Sequence, residues 1–122
     1  MRLPSDKNPM QAHAKVWFER AGKVALSGWR VALLEAIAQS GSLSAGTARL
    51  GVPYRTAWYK LREIEEQLGV RLLDTRAGGP RGGGSTLTPA ALEMVARFRR
   101  VQGDVEKLVR ERFEIEFAEW SP

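Results

Sequence analysis

Cysteine is absent from the 122 residues, and histidine occurs once, at position 13. Disulfide frameworks and thiolate metal centres are therefore excluded. A lone histidine in a polar N-terminal stretch reads as a solvated side chain rather than a general base or a ligand. The chain also lacks a long apolar run. Its longest, "VALLEAIA", is interrupted by Glu35 and is far too short to cross a bilayer. The opening "MRLPSDKNPMQ" has no apolar core of the kind a secretory signal needs, so residues 1–13 are expected to be a disordered tail. No G-x-S-x-G elbow and no metal-ligand spacing occurs. An enzyme is not expected, nor a bound cofactor or metal.

What the chain does have is positive charge, unevenly placed. Of its Lys and Arg residues, nine lie in residues 1–61 against three acids, and ten lie in residues 62–122 against eleven acids. The formal net charge is +5. A basic body followed by a mixed, acidic end points to a polyanionic partner for the body.

Glycine is concentrated in "GGPRGGGST", residues 78–86. Gly79 and Gly84 have the separation of a nucleotide-binding phosphate loop, but Ser85 stands where that motif needs lysine. The flanking "RLLDTR" and "GSTLT" have the character of short strands, so the glycines form the tip of a hairpin.

The rest of the chain divides into recognisable elements. "AKVWFER" alternates, with Val16 and Phe18 on one face; "AGK" turns and "VALS" resumes, giving a first hairpin. Ser27 is placed to cap a helix lined by Val31, Leu34, Ile37 and Ala38, and Gly41 stops it. Ser44 is the expected cap of a second, short helix, with Leu43 stapled onto Ala48 and Gly51 as its left-handed stop. Pro53 is expected in the first turn of a third helix running to Gly69. Two helices joined by a tight glycine turn form a helix-turn-helix.

At 100° per residue, Ala57, Leu61, Ile64 and Leu68 of the third helix fall within about 60° of one another as a buried stripe. Arg55, Tyr59, Arg62 and Glu66 project oppositely, with Thr56 and Glu63 beside them and Tyr54, Trp58 and Glu65 at the boundary. Trp58 is read as a packing residue at the edge of the core. A cationic, aromatic helix start of this kind suits a DNA major groove, with Arg55, Thr56, Tyr59, Lys60 and Arg62 as contacts, provided that Glu63 and Glu66 lean away. The hairpin that follows is then a wing. Arg76 and Arg81 provide charge, Gly82, Gly83 and Gly84 allow close approach, and Ser85 and Thr86 offer hydroxyls to a phosphate backbone.

Thr88-Pro89 opens a long helix. Met94, Phe98, Val101, Val105 and Leu108 follow 4-3-4-3 spacing, a coiled-coil seam that Arg112 interrupts and Ile115 resumes. A second copy of the chain is its expected partner, the alternative being an intramolecular helix that lies over the first hairpin. Leu92 and Val95 are expected to pack back onto the domain. The end, "FEIEFAEW", fits strand alternation through Phe113, Ile115 and Phe117, and equally a helix through Phe113, Phe117 and Trp120. The fold class expected is mainly α with small β-hairpins: residues 14–88 a winged helix-turn-helix, residues 89–122 a long dimerisation helix with a C-terminal tail.

In order and motif, "GSLSAGTARLGVPYRTAWYKLREIEEQLGVRLLDTRAGGPRGGGSTLTPAAL" resembles the N-terminal DNA-binding domain of the ModE family, molybdate-responsive transcription regulators, and more distantly the LysR-type winged helix. "KVWFE", "PYRTAW" and "GGPRGGGSTLTP" carry the likeness, which spans roughly residues 14–112. The resemblance implies a homodimer that binds palindromic double-stranded DNA in the bacterial cytoplasm, with no membrane association. Ser44, Tyr54, Arg55, Thr56 and Trp58, with the wing from Gly78 to Thr86, match the family's motif positions. The family's molybdate-binding domains follow the long helix, and they are not expected within a chain of this length. The effector, molybdate included, is left open. Two other readings stay beside this one: a winged helix used for protein assembly, and a small oxyanion-responsive regulator.

Overall fold

The computed structural model describes residues 9–75 and 84–120. The first hairpin pairs β1 (Trp17–Arg20) with β2 (Lys23–Ser27). Its two-residue turn places both Ala21 and Gly22 at positive φ, 53° and 76°. That conformation matches the right-handed twist of paired strands. A bulge between Phe18 and Glu19 leaves Ala25 unopposed and buried.

Ser27 ends β2 and caps α1 (Gly28–Ser40), its hydroxyl accepting from the Arg30 N–H. Val31, Leu34 and Ile37 of α1 are fully buried, as expected. Ala38 is exposed, and Leu33 and Ala36 are buried instead. α1 is the central helix, packed against α2 (Leu43–Leu50), α4 (Pro89–Phe117), β2 and β4 (Ser85–Leu87). Enclosure on several sides buries a wider arc than a one-sided stripe predicts.

The cap of α2 is Ser42, not Ser44: the Ser42 hydroxyl accepts from the Ala45 N–H at 3.0 Å. Starting the helix at Leu43 places Leu43, Gly46 and Thr47 on one buried face against α1. Both serines offer a suitable hydroxyl, and packing decides between them. Gly46 is indispensable there, because a Cβ would lie 2.9 Å from the Ile37 backbone.

Gly51, at φ 66°, closes α2, and the Val52 N–H returns to the Thr47 carbonyl at 3.0 Å. Pro53 occupies the cap position of α3 (Tyr54–Leu68), one residue earlier than expected; its carbonyl accepts from the Ala57 N–H. Ala57, Leu61 and Ile64 are buried and Leu68 is half-buried, as the stripe requires.

The wing pairs β3 (Leu73–Thr75) with β4 in the register Leu73–Leu87, Asp74–Thr86, Thr75–Ser85. The Ser85 N–H donates to the Gly41 carbonyl at 2.9 Å, tying β4 to the α1–α2 turn. Thr88 then caps α4, accepting from the Ala91 N–H at 3.1 Å while donating to the Arg71 carbonyl at 2.7 Å.

α4 has 29 residues, about 43 Å at the usual rise. Its first half is part of the core. Ala91, Val95 and Phe98 are buried, and Phe98 meets Phe18 edge to face with centroids 5.1 Å apart. Leu92, expected to pack inward, is exposed. Arg99 forms a two-pronged pair with Glu35 of α1. The hydrogen bonds to Glu35, and then its charge, hold the Arg99 pKa above the ordinary arginine value against the opposing effect of burial. The helix continues through "FEIEF": Phe113 stacks on Phe117 at 5.2 Å, and Phe117 meets Trp120 at 5.4 Å. The helical alternative for this segment is the one formed.

Candidate nucleic-acid interface

The solvent face of α3 begins with side chains that its buried stripe turns outward. Arg55, Thr56, Tyr59 and Arg62 are exposed. Tyr54 and Trp58 are exposed as well, at 53% and 42%. Six residues thus present three large aromatic groups to solvent, which is unusual for a helix with no further role. A groove of about 340 Å³ lies among Tyr54, Arg55, Trp58 and Tyr59.

Trp58, read as a packing residue at the edge of the core, is 42% exposed and lines the cleft beside the core residues Leu43 and Leu61; Tyr59 stands edge-on to it at 5.2 Å, and the Arg62 guanidinium lies 5.4 Å from its ring centre. A cation held over an indole face is restrained in direction. The i, i+4 spacing of Trp58 and Arg62 was the available signal for this pair.

Two of the three acids on α3, Glu63 and Glu65, are drawn aside by specific partners, whereas Glu66 is exposed. Glu63 accepts from Arg30 at 3.2 Å and from Lys60 at 3.5 Å. Arg30 is buried and also donates to the Ala25 carbonyl. Its role, holding the Glu63 carboxylate toward the first hairpin, has no periodic signature in the sequence. Lys60 is half-buried and shares this pair, unlike its outward-facing neighbours. Glu65 accepts from the Leu72 N–H at 2.9 Å, fastening the end of α3 to the wing. Among the described residues, no carboxylate forms an ion pair with Arg55 or Arg62.

The wing lies beside the start of α3. Tyr54 and Trp58 on one wall, and Thr75 and Ser85 on the other, line a single cleft of about 420 Å³. Of the two hydroxyls expected on the wing, Thr86 is exposed, whereas Ser85 is 7% exposed and faces this cleft. Gly84 is half-buried, with the space where a Cβ would sit only 3.0 Å from the Gly41 carbonyl. Arg76, Arg81, Gly82 and Gly83 lie outside the described residues. Ser44 is exposed in the first turn of α2.

The expected seam on α4 divides in two. Phe98 is fully enclosed by the chain's own core and Met94 packs against that core. Val101 and Leu108 are exposed, with Val105 half-buried between them. Among the described residues no group of three metal-ligating side chains occurs, and no helix is long and apolar enough to cross a membrane.

The family model for bacterial regulatory helix-turn-helix proteins of the lysR family matches residues 30–92, from the start of α1 through the wing into α4. The chain belongs to this family. Among LysR-family and related proteins, it is 35% identical over 94 residues to the molybdenum-pterin-binding protein MopB of Rhodobacter capsulatus, covering 77% of this chain and 34% of MopB. It is 42% identical over 71 residues to the molybdenum transport protein ModE of Herbaspirillum seropedicae, covering 58% of this chain and 26% of that protein. The chain therefore spans about a third or less of the length of these relatives. Its fold is similar to the DNA-binding domain of CbnR in a complex with DNA, with TM-score 0.51 and 28% identity over 62% of this chain and 82% of that one. The ModE resemblance read from "PYRTAW" and the wing motif, and the winged-helix class, are thus shown.

Proposed function

We propose that this chain is the DNA-binding part of a transcription regulator, reading duplex DNA as a dimer. One observation carries the reading: Tyr54, Trp58 and Arg62 of α3 line one cleft with Thr75 and Ser85 of the wing strands, and Tyr54 and Trp58 also line the neighbouring groove that holds Arg55 and Tyr59. The helix enters a major groove through Arg55, Thr56 and Tyr59, with Tyr54 and Ser44 toward the strand edge. The wing tip, with Arg76 and Arg81, follows the sugar–phosphate backbone. Membership of the LysR family and likeness to a domain bound to DNA support this assignment.

Val101, Val105 and Leu108 form the dimer contact, since they are the part of the heptad seam not used by the core. Two reading heads related by a two-fold axis suit an inverted repeat with half-sites about 34 Å apart. Molybdenum, named for two relatives, is not carried over to a chain that matches a third or less of each.

Fluorescence anisotropy on selected and random duplexes, over a salt series, tests the assignment. Arg55→Ala should weaken binding to the selected sequence by about 1–3 kcal/mol while barely changing random DNA. Equal losses on both would show that Arg55 does not read a base, and absence of binding to any duplex at low salt would refute the assignment.

A further inference from the structure

The cleft between α3 and the wing contains more cationic chemistry than a packing seam requires. Arg62 enters it from α3, and Arg71 enters it from the segment that leads into β3. The same two residues also line an adjoining groove over Gly69 and Val70, which Glu65 and Glu66 line as well. Arg62 is directed by the indole of Trp58 beneath it. Arg71 is exposed, and among the described residues its guanidinium reaches only the Leu73 carbonyl, at 3.5 Å.

Hydroxyl donors complete the lining. Thr75 and Ser85 are cross-strand partners, so they face the cleft together, and Tyr54 also lines it. Ser85 is held in place by its backbone bond to Gly41. One acid lines the cleft itself, Glu65, and one of its carboxylate oxygens is turned to the Leu72 N–H, while Glu66 lines only the adjoining groove. Two planar guanidinium forks with three hydroxyls match a tetrahedral oxyanion, which accepts several charge-assisted hydrogen bonds at once.

We propose that this cleft seats a single phosphate oxyanion between Arg62 and Arg71, and that its occupant is one phosphodiester of the DNA strand passing from α3 to the wing. The proposal rests on the DNA-binding reading and adds to it a shared site for two arginines that sequence periodicity places on unrelated elements. A free oxyanion has the same chemistry, so the test separates the two sources.

Arg62→Gln, Arg71→Gln and the double variant are made in the whole chain; both positions are exposed, so the fold is retained. The slope of log K against log salt for a random duplex is then measured. Loss of one phosphate contact lowers the slope by about 0.9. Each single variant should show that change, and the double variant should show about the same change, because the two side chains hold one phosphate. A double-variant change of about 1.8 would mean two separate phosphates and would overturn the shared site. An unchanged slope in Arg71→Gln, with wild-type binding intact, would overturn it while leaving the DNA-binding reading standing. In parallel, the Trp58 indole N–H resonance is followed against inorganic phosphate and against chloride at matched ionic strength. Saturable shifts with phosphate that vanish in Arg71→Gln, with slopes unaffected in every variant, would replace DNA by a free oxyanion as occupant. No shift with phosphate, together with the predicted slopes, supports the strand phosphodiester.

Discussion

Phe98 lies where two accounts of α4 diverge, and its truncation separates them. The heptad spacing places it on a dimer seam, whereas the structure encloses it completely within one chain, edge to face with Phe18. Replacing such a phenylalanine by alanine costs about 3–5 kcal/mol, through lost transfer energy and the cavity left behind. Small domains are stable by only about 5–15 kcal/mol, so a substantial part of the margin disappears. Each kcal/mol corresponds to a fall in Tm of about 4–8 °C for a domain of up to about 100 residues. The assay is urea unfolding by tryptophan fluorescence at several protein concentrations, with Phe98→Leu as a milder variant. Leu108→Ala is the control, since Leu108 is 57% exposed. Phe98→Ala should lower the midpoint by an amount that does not depend on protein concentration. Leu108→Ala should leave the monomer within about 0.5 kcal/mol, and weaken only the concentration-dependent part. A loss below about 1 kcal/mol for Phe98→Ala, or one that disappears as protein concentration rises, would refute the placement of Phe98.

Two further substitutions probe the scaffold that presents the interface. Gly46→Ala places a Cβ 2.9 Å from the Ile37 backbone, and should destabilise by about 1–3 kcal/mol in spite of alanine's helix preference of about 1 kcal/mol; a raised Tm would contradict the close approach of α2 to α1. Arg30→Ala should cost about 1–3 kcal/mol, because the side chain is buried and donates to both Ala25 and Glu63. Glu63→Ala should cost less than about 1 kcal/mol, its carboxylate being half-exposed. Equal costs in denaturant unfolding would show that Arg30 acts only through the pair.

Most elements were legible because local chemistry specifies them. Ser27 and Thr88-Pro89 mark helix starts by their hydroxyl caps, and Gly41, Gly51 and Gly69 mark stops by their left-handed backbone. The buried stripe of α3 follows from periodicity alone, and it directs Arg55 and Tyr59 outward. What periodicity cannot encode is the identity of a partner. The 4-3 spacing through Phe98 is the same whether a helix packs on its own domain or on a second copy, and here Phe18, distant in sequence, decides it. Ser42 and Ser44 are equal as caps until Leu43 needs burial. Arg30 and Glu63 are 33 residues apart, and no pattern joins them before the fold does. Trp58 is at the boundary of the stripe, and periodicity alone does not fix how much of it is exposed.

Selection of bound duplexes from a randomised DNA pool tests the central claim most directly. An inverted repeat with half-sites about one helical turn apart is predicted, and it should be lost when the selection is repeated with Arg55→Ala. A pool that shows no enrichment, or the same enriched sequence with and without the Arg55 side chain, would contradict the account.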